Sequence, residues 1–147
     1  MGGVVLNEQS LQLMAQFEEL TGAGSRDCIV DEQNDRLIFV INPGDMGRAI
    51  GKKGATIKSV SETLGKRVEV VEYSSDPAQF LKNCFLPAKV LDVDIRDGEE
   101  EDDDQRVAYV DIPEEDRGLA IGKAGKNIIK AKQLAQRQHD IADVKLA

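Results

Sequence analysis

A segment of twenty residues occurs twice in this chain, and its two copies align without a gap. Residues 45–64, DMGRAIGKKGATIKSVSETL, match residues 116–135, DRGLAIGKAGKNIIKAKQLA. The segments before them match as well, because RLIFVINP at 36–43 parallels RVAYVDIP at 106–113. Self-similarity at a fixed spacing indicates one structural unit built more than once. The sequence therefore predicts two copies of the same small fold, residues 1–73 and residues 74–147.

The first copy divides into six predicted elements. Apolar residues at helical spacing mark the first helix, which Asn7 caps and the glycines of TGAG end; they are Leu11, Met14, Phe17 and Leu20. The other elements are CIV (28–30) and RLIFVI (36–41) in a hairpin, a short helix ending near Ile50, a helix ending at Gly65, and the strand RVEVVEY (67–73).

The second copy repeats this order. Its first helix begins at Asp76 and must end before Pro87, because a proline disfavours helical backbone in the residue before it. The other elements are a hairpin of KVLDVDI (89–95) and RVAYVDI (106–112), two short helices on either side of GKAG, and the strand DVKL (143–146). The predicted fold class is α/β, of the α+β type: two domains with the order α-β-β-α-α-β, each a small sheet covered by helices.

Charge is segregated along the chain. The formal net charge is −8, but the six acidic residues of EEEDDD at 99–104 leave only −2 for the rest. Residues 117–137 contain six basic residues and no acidic one. Because phosphate binding depends on local cationic side chains, the negative total does not exclude a nucleic-acid partner. The acidic run falls in the second hairpin, where we expect a solvated tip; the alternative is a face that repels RNA or contacts a basic protein.

Each repeat also contains two glycines that bracket two residues, GKKG at 51–54 and GKAG at 122–125. Glycine lets one backbone approach another closely, and the second glycine of each pair begins a predicted helix, whose free N–H groups favour a phosphate. The isoleucines beside the loops would anchor the helices and leave an apolar groove for unstacked bases. Asp45 and Asp116 recur before the loops, where we expect capping or pairing with the helix dipole.

The sequence offers no constellation for catalysis. Cys28 and Cys84 stand far apart without a CxxC spacing, so we interpret both as buried thiols. His139 is the only histidine, and no nucleophile or metal-ligand spacing surrounds it. A nucleotide-binding P-loop needs four residues between its glycines, whereas GKKG has two. We therefore expect a protein that is not an enzyme, with no cofactor, no metal and no small-molecule substrate.

The amino-terminal residues carry no targeting signal. MGGVVLNEQS lacks the basic start and the apolar stretch of a signal peptide, and Leu6 stands where a myristoylation motif requires Ser or Thr. The chain also has no apolar run of about twenty residues. We expect a cytoplasmic protein with no membrane partner.

The sequences IGKKGATI and IGKAGKNI resemble the I-G-x-x-G-x-x-I signature of the KH domain, and the predicted element order resembles its type II arrangement. The tandem, including RLIFVINPGDMGRAIGKKG, is similar to the archaeal NusA family of transcription factors over nearly the whole chain. That resemblance implies binding of single-stranded RNA, the nascent transcript, and a role in transcription elongation, termination or antitermination. It implies RNA-binding roles for Arg48, Ile50, Gly51, Lys52, Lys53, Gly54, Ile57, Lys58, Ile121, Gly122, Lys123, Ala124, Gly125, Lys126, Ile128 and Lys130.

The chain departs from the longer bacterial NusA proteins. We expect no room for their amino-terminal polymerase-binding domain or their S1 domain. Contact with RNA polymerase therefore does not carry over from those proteins, and whether RNA polymerase is a second partner is left open. The second loop also has Ala124 where the first has Lys53. The alternative function is a protein-interaction adaptor that uses the KH fold as a scaffold and the acidic hairpin loop as its contact. The lysines in both loops argue against the adaptor.

Overall fold

The computed structural model describes residues 6–97 and 105–147. Its elements follow the predicted order in each copy, which confirms the predicted fold class. They are α1 (Glu8–Thr21), β1 (Ser25–Asp31), β2 (Arg36–Ile41), α2 (Met46–Ile50), α3 (Ala55–Leu64), β3 (Arg67–Glu72), α4 (Pro77–Phe85), β4 (Asp92–Arg96), β5 (Arg106–Asp111), α5 (Arg117–Ile121), α6 (Lys126–His139) and β6 (Ile141–Leu146).

The described residues form two compact units, one of residues 6–73 and one of residues 74–97 and 105–147. Each unit contains a three-stranded sheet, with strand orders β1-β2-β3 and β4-β5-β6. The first two strands of each sheet pair antiparallel, and the third pairs parallel with the second. A parallel pair needs a long crossover connection. The two helices around each glycine loop are that crossover, so each loop lies in the middle of it.

Strand β2 forms the centre of the first unit, and all six of its residues are buried. Phe39 of β2 stacks on Phe17 of α1 with ring centroids 4.3 Å apart. Val60 of α3 is buried in the same core, and Ile57 packs partly against it. Fully burying such a side chain stabilises the fold by roughly 1.5–3 kcal/mol. The helix that follows GKKG is therefore fixed to the sheet by its own apolar face.

Only some of the apolar residues that mark α1 in the sequence are packed against the core. Leu11 and Leu20 are 51% and 44% exposed, whereas Phe17 is buried. Leu13 and Met14 pack partly against the core. A spacing of three residues turns the helix by about 300°, so residues nine positions apart point to opposite sides. Leu11 and Leu20 therefore lie on opposite sides of α1, although the predicted helix itself is confirmed.

Arg36 is fully buried at the start of β2. Its Nε donates to Oδ2 of Asp31 at 2.7 Å, and its Nη1 donates to Oε1 of Glu69 at 3.3 Å. Arg67 pairs with the same glutamate at 3.0 Å. Burial acts to raise the pKa of Asp31, but hydrogen bonds from Asn34 and Arg36 outweigh it, and the pKa lies below its usual value. This end of the first sheet is held by a buried charge network.

In the second unit, α4 packs against α6. The buried residues of α4 are Phe80, Leu81, Cys84 and Phe85. Both cysteines of the chain are free and buried, as expected. Burial raises the pKa of Cys84 to about 12, against the opposing charge of Lys130. The Cys84 thiol is therefore protonated near neutral pH and is a poor nucleophile.

Helix α6 is longer than predicted. It has 14 residues, as many as α1, whereas we expected a short helix after GKAG. The segment KNIIKAKQLAQRQH contains neither Gly nor Pro, and its Lys, Gln, Ala and Leu residues favour helix. The helix ends only at Asp140, whose backbone is left-handed with φ of 52°.

The acidic run 99–104 lies outside the described residues. The strands on either side of it pair antiparallel as predicted, and Arg96 of β4 faces Val107 of β5 in the register. The run therefore falls within the connection of the second hairpin, and its predicted role as a solvated tip stays a prediction.

Candidate nucleic-acid interface

The first glycine loop connects α2 to α3 through a 3₁₀ turn at Lys52–Gly54. The N–H of Gly51 donates to the carbonyl oxygen of Gly47 at 2.9 Å, which ends α2. The N–H of Gly54 then donates to the carbonyl oxygen of Gly51 at 3.1 Å. Lys53 and Gly54 both have left-handed backbone, with φ of 54° and 78°. The chain thereby passes from one helix to the next within four residues.

The second glycine loop has the same backbone conformation. Ala124 and Gly125 have φ of 56° and 76°, and the two loop hydrogen bonds recur at 2.9 Å and 3.1 Å. A left-handed conformation costs a residue with a Cβ roughly 1–2 kcal/mol, and residues held in such conformations cluster at functional sites. Both copies accept this cost at the same position, Lys53 and Ala124, which marks the loops as a candidate site.

The first glycine of each loop is required by close packing. A Cβ atom on Gly51 would lie 2.1 Å from Oγ1 of Thr56 and 2.9 Å from its backbone nitrogen. A Cβ atom on Gly122 would lie 2.9 Å from the backbone nitrogen of Asn127. The second glycine of the first loop, Gly54, has open space around it and is needed for its left-handed φ alone. We did not predict Thr56 and Asn127 as parts of the site, although their shared position after the second glycine was a signal in the sequence.

Replacing Gly51 with Ala should destabilise the first unit more than replacing Gly54 with Ala. At Gly54 the new Cβ would have no atom within 4 Å. Only the left-handed φ would then cost stability, by about 1–2 kcal/mol. At Gly51 the φ of 75° and ψ of 175° lie in a region essentially restricted to glycine, and the Cβ also collides with Thr56, so about 3 kcal/mol or more is expected. Urea unfolding of both variants measures the difference. Equal losses would contradict the packing account.

The repeated aspartates tie each loop helix to the segment before the sheet. Oδ2 of Asp45 accepts the backbone N–H of Gly24 at 2.9 Å, and Oδ2 of Asp116 accepts that of Lys89 at 2.8 Å. Within the described structure, neither aspartate side chain makes a capping hydrogen bond. Both residues already have helical backbone, with φ of −98° and −102°, whereas a capping residue is usually extended. Of the two expected roles, the capping hydrogen bond is therefore wrong, whereas pairing with the helix dipole stays a prediction. The hydrogen bonds to Gly24 and Lys89 also help to position the loops.

The loop lysines are accessible. Lys52, Lys53 and Lys123 are exposed, and their side chains make no hydrogen bond or ion pair with the described part of the chain. Arg48 of α2 is exposed too, although its Nη1 lies 3.4 Å from Oδ1 of Asp45. Three cations without a partner among residues 6–97 and 105–147 therefore stand on two loops of the same shape.

The other basic residues proposed for the site are placed differently. Lys58 is exposed on α3, and Lys126 is half-buried at the start of α6. Lys130 is only 7% exposed, on the face of α6 near Cys84. A side chain turned inward in this way is poorly placed to meet a phosphate, so we correct the predicted set and leave Lys130 out of the proposed surface.

The basic segment 117–137 is not one continuous basic surface. Nη1 of Arg117 donates to the carbonyl oxygen of Ala147 at 3.0 Å, and Nζ of Lys132 lies 3.3 Å from Oδ1 of Asp143. These side chains are held by partners within their own unit. The six cations are close together along the chain, but they lie on α5, in the second glycine loop and on α6. The four on α6 point to different sides of that helix.

Apolar residues flank both loops, as expected. Ile50, Ile57 and Ile128 are half-buried, whereas Ile121 is 40% exposed. Ala49 and Ala120, directly before Ile50 and Ile121, are fully buried and anchor α2 and α5. The isoleucines therefore leave partly accessible apolar surface beside each loop.

Neither loop carries the side chains of an active site. Apart from lysine, GKKG and GKAG contain only glycine and alanine. Among the described residues, no group of three or more His, Cys, Asp or Glu is placed to hold a metal ion. No helix in the described ranges combines the length and the apolarity needed to cross a membrane.

Two protein-family models match this chain. A model described as "KH domain" matches residues 14–96, which contain the first loop. A model described as "NusA-like second KH domain" matches residues 77–147, which contain the second loop. Both glycine loops therefore fall inside segments that match KH domains, as the I-G-x-x-G-x-x-I signature predicts.

Relatives of known name align with almost the whole chain. "Probable transcription termination protein NusA" of Halococcus morrhuae is 40% identical over 98% of this chain and 99% of its own length. "Transcription termination/antitermination protein NusA" of Bacillus subtilis is 34% identical over 77% of this chain but only 30% of its own length. The solved structure "Crystal structure of APE1850" aligns with a TM-score of 0.84 and 37% identity, over 97% of this chain and 100% of that chain. The chain belongs to the NusA family of KH-domain proteins.

Proposed function

We propose that this chain is a non-enzymatic protein that binds single-stranded RNA and acts in transcription elongation, termination or antitermination. Its two KH domains, residues 1–73 and 74–147, each hold the RNA backbone at the glycine loop. The observation that carries the proposal is the exposure of Lys52, Lys53 and Lys123 on two loops of the same left-handed shape.

A phosphate at each loop would meet two favourable features at once. Helices α3 and α6 begin directly after the second glycine. Their first N–H groups, of Ala55 and Lys126, already donate to the carbonyl oxygens of Lys52 and Lys123. The positive end of each helix dipole still favours an anion at this place. The loop lysines add formal charge, and charge-assisted hydrogen bonds are roughly twice as strong as neutral ones.

The role in transcription is inferred from the relatives. The archaeal and bacterial proteins that this chain resembles are named for transcription termination, or for termination and antitermination. We infer that the bound RNA is the nascent transcript. RNA polymerase is the candidate for a second partner. A non-enzymatic role agrees with loops whose side chains supply only charge, and we propose that the protein acts in the cytoplasm.

Binding of the full-length chain to a single-stranded RNA of about 12 nucleotides tests the proposal, by fluorescence anisotropy over a salt series. Each phosphate neutralised on a single strand adds about 0.7 to the steepness of the log-log plot, so three loop lysines and a few helix cations predict a slope of roughly −2 to −4. A fully paired RNA duplex is the matched control and should bind more weakly. A flat salt response, or absence of binding, would contradict RNA recognition at the loops and favour the protein-interaction adaptor.

A further inference from the structure

Basic and apolar residues are exchanged between the two copies in both directions. The second copy has Arg117 and Lys126 where the first has Met46 and Ala55, but both cations are half-buried, and Arg117 donates to the carbonyl oxygen of Ala147. At three other aligned positions the first copy has a basic residue where the second has an apolar one. The pairs are Arg48 and Leu119, Lys53 and Ala124, and Lys58 and Ile129. All six residues are exposed, so the exchange changes the surface of the unit and leaves its core alone.

The apolar residues of the second copy lie at the loop itself. Leu119, Ile121 and Ile129 are 49%, 40% and 40% exposed. Cδ1 of Ile129 is 3.6 Å from the position that a Cβ on Gly125 would occupy. The Asn127 amide donates to the carbonyl oxygen of Leu119 at 2.7 Å across the loop. Three large aliphatic side chains therefore present accessible surface on both sides of GKAG.

The fold does not require this exchange. Lys53 and Ala124 have nearly the same backbone angles, φ 54° and ψ 28° against φ 56° and ψ 26°. Ala49 and Ala120 are equally buried beneath the two loops. The same backbone therefore accepts either a cationic or an apolar surface. Because the fold does not determine the residue type at these positions, the difference can affect binding without changing the fold.

We propose that the two KH domains divide the recognition of one class of ligand, single-stranded RNA. The first loop binds chiefly phosphates through its cations, and the second binds chiefly nucleobases through Leu119, Ile121 and Ile129. This inference rests on the proposed function, because the apolar surface is continuous with a loop that carries an RNA phosphate at Lys123. Unstacked bases are the apolar part of such a strand. The second domain therefore determines base preference, and the first determines most of the salt dependence.

Replacing Leu119 and Ile129 together with Ser tests the inference, with Arg48 and Lys58 replaced together with Ser as the matched pair at the aligned positions. The Leu119/Ile129 variant should lose about tenfold or more in affinity at every salt concentration. Its salt slope should match the parent, and its preference among homopolymeric 12-nucleotide RNAs should shrink. The Arg48/Lys58 variant should keep that preference while its slope becomes shallower by about 1.4, twice the 0.7 per phosphate.

The exchange Ala124→Lys provides a second, independent variant, because Lys53 already occupies the same backbone conformation. It should steepen the salt slope by about 0.7 without increasing base preference. If the parent binds RNA but the Leu119/Ile129 variant keeps the parent's affinity and preference, the inference is wrong and the apolar patch suits a protein partner, while the proposed function stands. If the parent itself binds no single-stranded RNA, both are wrong. Thermal melts of each variant identify a loss of binding that comes from unfolding.

Discussion

Replacing Lys52, Lys53, Lys123 and Ala124 together with Asp is expected to lower RNA affinity roughly 100-fold or more. Charge-assisted contacts are commonly worth about 1.5–3 kcal/mol each, and four new anions add repulsion to their loss. The glycines that set the turns are untouched, and Asp tolerates the left-handed backbone of Lys53 and Ala124 better than most residues. The melting temperature should therefore shift by less than about 4 °C. Anisotropy titrations and thermal melts of the same samples measure both effects.

Two double variants, one for each loop, measure the contribution of each loop to RNA affinity. The Lys52/Lys53 pair removes two cations and the Lys123/Ala124 pair removes one, so the first pair should lose more affinity. Replacing Lys89 and Lys145 with Asp is a suitable control, since both are exposed outside the loops and the change in net charge equals that of the Lys52/Lys53 variant. A fourfold variant that melts like the parent and still binds RNA like the parent would refute loop binding. A control variant that loses as much affinity as the Lys52/Lys53 pair would do the same.

Replacing Arg36 with Met is expected to destabilise the first unit by about 3–5 kcal/mol. The buried carboxylate of Asp31 would lose its cation, and Glu69 would keep only its pairing with Arg67. Arg106 is the aligned residue of the second unit and is only half-buried, so Arg106→Met should cost less. The chain has two tyrosines, Tyr73 in the first unit and Tyr109 in the second. In a Tyr109→Phe background, Tyr73 fluorescence during urea unfolding reports the first unit alone.

A triple variant distinguishes the loss of the charge network from the loss of the packed Arg36 side chain. Adding Asp31→Asn and Glu69→Gln to Arg36→Met removes the stranded charges and should recover much of the lost stability. Because the pKa of Asp31 is lowered in the folded state, the stability from its ionised form is present above about pH 4 and is lost as the pH falls through the folded pKa. A loss below about 1 kcal/mol in Arg36→Met, or no recovery in the triple variant, would contradict the network account.

The features that local chemistry specifies could be predicted from the sequence. Asn7 accepts the N–H of Ser10 at 2.8 Å and Asp76 accepts that of Ala78 at 3.2 Å, so both helices begin where their capping residues indicate. The glycine loops followed from spacing and repetition, because a chain without Cβ atoms at Gly51 and Gly122 can turn where others cannot. The element order and the KH signature then led to the family.

The features that depend on tertiary packing could not be predicted. Arg36 is the first residue of an otherwise apolar strand, and its burial depends on carboxylates from two other parts of the chain, Asp31 and Glu69. Lys130 lies in a basic segment, yet α4 packs on the face of α6 where it projects. The exposure of Leu119 and Ile129 was missed for the opposite reason, since aliphatic residues in an amphipathic helix are ordinarily interpreted as core.

Backbone amide chemical shifts during titration with a single-stranded RNA of about 12 nucleotides test RNA binding by the loops most directly. The account predicts that the largest changes fall on the amides of Gly51, Gly54, Gly122 and Gly125 and on the first residues of α3 and α6. The same titration with the fourfold Asp variant should leave those amides unchanged. RNA binding whose shift changes lie elsewhere in both units, with the four glycine amides unmoved, would contradict the account.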